Sequence, residues 1–181
     1  NAGQKALQPV IEEYIAAANV NAERAESQVN LGNIYRQLQR LGQAESAYIN
    51  GLKVNPDFVP AYVNLADLYR LQQREQDARA LLRQGIERQP TQAMLYQMLG
   101  LSLVRDGQTA AALPYFKNAT EFGPTEVRYA ITFALALEAT QQPQEAIVYL
   151  ESVRSNYADQ RDINTTISAI LNRARAPAAN Q

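Results

Sequence analysis

The sequence predicts an all-α chain, a helical solenoid of stacked helix–turn–helix repeats. Two observations predict it. The stretch Val29-Asn30-Leu31-Gly32-Asn33-Ile34-Tyr35-Arg36 returns as Val63-Asn64-Leu65-Ala66-Asp67-Leu68-Tyr69-Arg70 after a shift of 34 residues, and self-similarity at such a period marks stacked supersecondary units. Apolar residues also recur at helical spacing. Leu31, Ile34, Tyr35 and Leu38 form one face, and Ala44, Ala47, Tyr48 and Leu52 form a second after a short Leu41-Gly42 turn.

Taken from Ala25, the first unit carries Leu31, Gly32, Tyr35, Ala44, Tyr48, Gly51 and Pro56 at fixed offsets. The same places hold Leu65, Ala66, Tyr69, Ala78, Leu82, Gly85 and Pro90, then Leu99, Gly100, Leu103, Ala112, Phe116, Ala119 and Pro124. A fourth unit gives Phe133, Ala134, Leu137, Ala146, Leu150 and Val153, with Ala158 where Pro is expected. The repeats are therefore placed at 25–58, 59–92, 93–126 and 127–160. The small residues are expected to let the two helices of a hairpin approach closely. Each Pro is expected to open the next helix, where its missing N–H costs little.

This pattern resembles the tetratricopeptide repeat, whose signature is an aromatic, then Leu-Gly, Tyr, Ala, Phe and Pro at these offsets. Tyr62 and Tyr96 fill the aromatic place, whereas Gln28 and Ala130 depart from it. The resemblance implies a right-handed superhelical solenoid with the first helix of each unit lining a concave groove.

A helix over 4–20, with Leu7, Val10, Ile11, Tyr14, Ile15 and Ala18 apolar, reads as the second half of an earlier unit. The chain does not begin with Met and is read as part of a longer protein. Its upstream domain would pack on that half unit, and an exposed face there would permit a homodimer. Ile163, Ile167, Ile170 and Leu171 mark a capping helix over 161–175, since a solenoid needs a terminal element with one polar face. A disordered tail is expected over 176–181.

Composition removes several kinds of function. The chain has neither Cys nor His, so thiolate nucleophiles, imidazole acid–base chemistry and most transition-metal sites are unavailable. A net charge of −1, from 14 Arg and 3 Lys against 18 acids, argues against nucleic-acid binding. No apolar run approaches the ~18 residues of a spanning helix. Glu12 and Glu13 are adjacent and diverge on a helix, and no glycine-rich phosphate loop exists. No enzymatic activity and no cofactor are expected.

The partner is then a protein or peptide, held in the groove. The inward positions give Asn30, Asn33, Arg36, Asn64, Asp67, Arg70, Met94, Gln97, Met98, Leu101 and Arg105 as contact residues, with Val29 also turned inward. Asn33 and Asn64 match positions where carboxylate-clamp members of the family grip a peptide, and an Asn amide both donates and accepts. The clamp's basic residues are missing, because Val29, Met94 and Met98 stand in their places. A C-terminal acidic chaperone tail is therefore not the expected ligand, and Met94, Met98 and Leu101 favour an apolar portion. Arg36 and Arg70 form a guanidinium ladder able to meet carboxylates, or each complements its own helix dipole.

Glu13-Tyr14-Ile15, Asn21-Ala22-Glu23-Arg24-Ala25-Glu26 and Phe58-Val59-Pro60-Ala61 are also similar to the repeat region of bacterial multihaem c-type cytochromes. That resemblance implies a periplasmic setting, with the cytoplasm as the alternative, and a module acting in cis on an upstream electron-transfer domain.

Overall fold

A computed structural model of the chain describes Pro9, Glu12, Glu13, Ile15, Ala16 and residues 23–175. Over 25–175 it holds nine α-helices and one short 3₁₀ turn, and no strand occurs among the described residues. Eight helices form four hairpins: α1 (Ala25–Gln37) with α2 (Leu41–Val54), α3 (Val59–Leu71) with α4 (Glu75–Arg88), α5 (Ala93–Arg105) with α6 (Thr109–Phe122), and α7 (Val127–Ala139) with α8 (Pro143–Val153). The first helix of each hairpin begins at the residue where the repeat register begins. The five described residues before Ala25 in the N-terminal helix are helical. Leu7, Val10, Ile11, Tyr14, Ala18 and the tail 176–181 lie outside the described residues.

The chain divides into two compact units, Asn1–Pro90 and Thr91–Gln181. In the first, α2 packs on α1 and on α3, and α3 packs on α4. In the second, α6 packs on α5 and α7, and α9 (Arg161–Arg175) closes the stack against α8 and α7. Ile163, Ile167 and Ile170 of α9 are buried with Ala134, Leu137 and Leu150, while Asn164, Thr165 and Ser168 stay exposed. This is the one-sided face a terminal cap requires.

The hairpin turns depart from the sequence expectation. Leu41 and Gly42 open α2, and the turn lies at Leu38–Arg40. Its fifteenth-position residue takes left-handed backbone in every repeat: Gln39 (φ 60°), Gln73 (φ 60°), Gly107 (φ 74°) and Gln141 (φ 66°). The next N–H then reaches back to the eleventh-position carbonyl, Arg40 to Tyr35 and Arg74 to Tyr69 at 2.8 Å, Gln108 to Leu103 and Gln142 to Leu137 at 2.9 Å. A second bond joins each fifteenth N–H to the twelfth carbonyl, as from Gln73 to Arg70 at 3.0 Å. The pair is a Schellman motif, which satisfies carbonyls that the helix end leaves open.

The repeat prolines also sit differently. Pro56, Pro90 and Pro124 lie in turns before the next helix rather than in its first turn. The Pro56 carbonyl accepts a 2.9 Å bond from the Tyr62 hydroxyl, which fixes the link between hairpins.

At the eighth position the glycines make room for a side chain of the second helix. A Cβ on Gly100 would lie 2.5 Å from Cε1 of Phe116, and one on Gly32 would strike the Tyr48 ring. Both rings are fully buried. Repeats with an aromatic at the twenty-fourth position (Tyr48, Phe116) thus carry Gly at the eighth, and those with Leu there (Leu82, Leu150) carry Ala66 and Ala134.

Packing at the eighth position sets a first expectation. Gly100→Ala and Phe116→Leu should each lower stability by roughly 1–3 kcal/mol. Because the pair Ala/Leu already exists in the second and fourth repeats, the double variant should lose less than the sum, by about 0.5–3 kcal/mol in a denaturation cycle. At the turns, Gly107→Ala meets no atom within 4 Å, so only backbone strain opposes it. It should cost about 1–2 kcal/mol, whereas Gln73→Gly should gain roughly 0.5–1 kcal/mol after the glycine entropy is subtracted.

Candidate functional site

Steps of three along α1 and α3 place Asn30, Asn33 and Arg36 on one helix face and Asn64, Asp67 and Arg70 on the next. Asn30 is exposed and Asn33 half-buried. The Tyr48 hydroxyl, rising from α2, donates to Asn33 Oδ1 at 2.7 Å. Burial pushes the Tyr48 phenol up from its ordinary value, with Arg36 opposing and Asp67 adding to the shift. It therefore remains a donor through the neutral range. Asn64 turns back on its own helix, its Nδ2 donating to the Pro60 carbonyl at 2.7 Å. Asp67 lies between two guanidiniums: Arg70 Nε donates to Oδ1 at 3.2 Å, and Arg36 Nη1 stands 3.9 Å from Oδ2. Arg36 and Arg70 also occupy the last turns of α1 and α3, where a cation complements the helix dipole.

The second unit presents a different face. Met94 and Met98 of α5 and Ile131 of α7 are half-buried. Leu101 is 37% exposed and Leu135 41%, and these two occupy the ninth position of successive repeats, where the first unit has Asn33 and Asp67. Arg105 is exposed at the end of α5.

Two inward-turned residues are placed elsewhere than the sequence suggested. Gln97 is buried, at 4% exposure. Its Nε2 donates to Thr132 Oγ1 at 3.0 Å, and the Thr132 hydroxyl donates to the Arg128 carbonyl at 2.8 Å. Gln97 is thus a strut from α5 to α7, with its Oε1 buried and unpaired among the described residues. Val29 is buried with Ala61 and Leu65, because an apolar β-branched side chain at that position packs into the interface of α1 with α3.

Sequence reasoning did not assign the Tyr48 hydroxyl a part in holding Asn33, nor Leu135 a place among the contact residues. The signal for the first was the one difference between Tyr48 and Phe116 at the same repeat position. It also left unread the tie between face and cap: Arg173 of α9 grips Glu138 by two 2.7 Å bonds. Among the described residues no cluster of acids fits a metal ion, and no helix is long and apolar enough to cross a membrane.

A family model described as tetratricopeptide repeat matches residues 29–93. No curated protein sequence matches the chain. Among solved structures, YrrB, a TPR protein with an unusual peptide-binding site, is 21% identical, with 91% of this chain and 84% of that one covered at a TM-score of 0.65. MamA is 19% identical, with 86% and 91% covered at 0.67. TTC0263, a thermophilic TPR protein of Thermus thermophilus, is 15% identical, with 94% and 93% covered at 0.67. At these identities the likeness establishes the fold, a solenoid of tetratricopeptide hairpins.

The tie to the cap sets a pH dependence. The hydrogen bond from Arg173 holds the Glu138 carboxyl below the ordinary carboxylate range, and burial opposes that shift. A carboxyl lowered in the folded state stabilises above its unfolded pKa, and the contribution is lost as pH falls through the folded value. Arg173→Met should lower the melting temperature at neutral pH, and the gap from the parent should close as the solution is acidified through that window.

Proposed function

We propose that the chain is a protein-interaction scaffold whose first-helix faces hold a segment of a partner protein. The observation that carries this reading is the apolar face of the second unit. Leu101 and Leu135 are exposed at equivalent positions of adjacent repeats, beside Met94, Met98 and Ile131. Water contact at such side chains is unfavourable, and a partner's apolar residues would remove it. The adaptable methionines suit a permissive surface. YrrB is a TPR protein with an unusual peptide-binding site, and the same class of ligand is proposed here.

A second reading, a module acting in cis on an upstream domain, is supported by the other flank of the first hairpin. Ile15 and Tyr35 pack against buried Leu31 and Ala47, and an open hollow on that flank is lined by Leu31, Tyr35, Leu41 and Ala47. The similarity to multihaem cytochrome repeat regions carries a periplasmic setting with it. Upstream Cys-x-x-Cys-His motifs in the full-length product would support that setting, and their absence would remove it.

The scaffold reading is tested with peptides selected on the intact chain from a displayed random library. Burying one leucine side chain is worth about 1.5–3 kcal/mol, so Leu101→Asp with Leu135→Asp should weaken the selected apolar peptides by at least about tenfold. Helicity and melting should stay near parental values. Asn33→Ala with Asn64→Ala should weaken peptides that engage the first unit. Failure to select any peptide, or equal binding by all variants, would sink the reading.

A further inference from the structure

We propose that Asn33, Arg36 and Arg70 receive a carboxylate of an acidic partner segment, and that Asp67 is the resident stand-in for it. The inference rests on the scaffold reading and adds the chemistry of the ligand at the first unit's face.

The repeat shift brings Arg36 and Arg70 to equivalent places on α1 and α3, and both guanidiniums point to one carboxylate. Two positive charges therefore face one negative charge. The pairing is loose on one side. A guanidinium offers five N–H donors, yet the Arg36 side chain makes no hydrogen bond among the described residues and only approaches Asp67 Oδ2 at 3.9 Å. Arg74 shows what a saturated arginine looks like in this unit. Its Nη1 donates to both Glu45 oxygens at 3.0 Å, its Nε donates to Asp77 at 2.8 Å, and it lies over the Tyr69 ring.

Asn33 adds a third donor. Its Oδ1 accepts from Tyr48, which fixes the amide and leaves Nδ2 to donate. Tyr48 cannot release it easily, because the ring is fully buried. Two guanidiniums and one amide, with Asp67 the one acid paired to the arginines among the described residues, form a site for an anion with planar oxygens, and guanidinium matches carboxylate geometry. These arginines stand at the twelfth repeat position, beyond the place where Val29 is buried. The donor set thus differs from a lysine clamp at that place. Arg36, Asp67 and Arg70 side chains are 33%, 38% and 40% exposed, so a partner can reach them.

Asp67 should then act against the ligand. An incoming carboxylate must share or displace it, and the exposed Asp67 pairing is worth little on its own.

The test uses the intact chain and a short synthetic peptide of alternating Glu and Ala, with the Gln isostere as control, in low-salt titrations followed by side-chain amide NMR of Asn33 and by anisotropy. The Glu peptide should bind better, and added salt should shrink the difference. Arg36→Gln or Arg70→Gln should reduce that preference about five- to tenfold. Asp67→Asn should raise it about two- to fivefold, the factor of an exposed ion pair. The opposite signs separate this assignment from a structural role, since loss of a merely structural pair would not strengthen binding. Equal binding of the Glu and Gln peptides, or an unchanged or weaker preference in Asp67→Asn, would overturn it. The library-selected apolar peptides and Leu101→Asp with Leu135→Asp judge the scaffold reading independently of that outcome.

Discussion

The Tyr48 ring lies against the bare Cα of Gly32, and its hydroxyl meets Asn33 at 2.7 Å. The face of the first unit depends on that seat. A buried ring in a close-packed interior has no room to turn, so the hydroxyl is held at one point and the Asn33 amide is held with it. A methyl at Gly32 would move the ring and release the amide. The same position thus joins the core to the surface: what the eighth residue permits, the twenty-fourth occupies, and the ninth displays. Where Phe116 replaces Tyr, no hydroxyl reaches the ninth position, and Leu101 stands there exposed.

The two units therefore share a fold and differ in surface chemistry. The first presents amides and a guanidinium–carboxylate cluster, the second methionine, isoleucine and leucine. Neither face is what chiefly holds the hairpins together. The buried rings, alanines and leucines do that, while exposed ion pairs such as those of Asp67 contribute little to stability. Residues free of a structural duty can be set by a ligand. Gln97 shows the contrary case. Its amide bridges α5 and α7, and a buried polar group with one unpaired atom is costly to disturb.

Much of the fold was legible in the sequence, because a repeat multiplies a weak local signal. The starts of α1, α3, α5 and α7 were fixed by register alone. Side-chain caps would not have found them, since among these four only α7 has one, the Glu126 carboxylate accepting from the Arg128 N–H. The hairpin turn was misplaced for the same reason. Three of its four left-handed residues are glutamines, which carry none of the turn signal of glycine or asparagine. At the site, spacing puts Asn33 with Arg36 and Asp67 with Arg70 on a helix face, since i and i+3 are neighbours there. It could not show that Asp67 stands between two arginines, nor that Gln97 is buried. Those depend on which neighbouring helix covers a given position, and spacing within one helix does not record it.

The twelfth repeat position shows how the cap bears on the face. It holds Arg36, Arg70, Val104 and Glu138 in turn, so the charge reverses along the chain. A free carboxylate at Glu138 would add a desolvation cost to any apolar segment laid across Leu135. Arg173 removes much of that difficulty by gripping both oxygens from α9, leaving the Glu138 side chain only 19% exposed. The terminal helix thus does more than bury Ile163 and Ile170. It neutralises an acid on the second unit's face, while in the first unit Asp67 only partly offsets its arginines. The fourth repeat can then carry a charge at that position without displaying it to a partner.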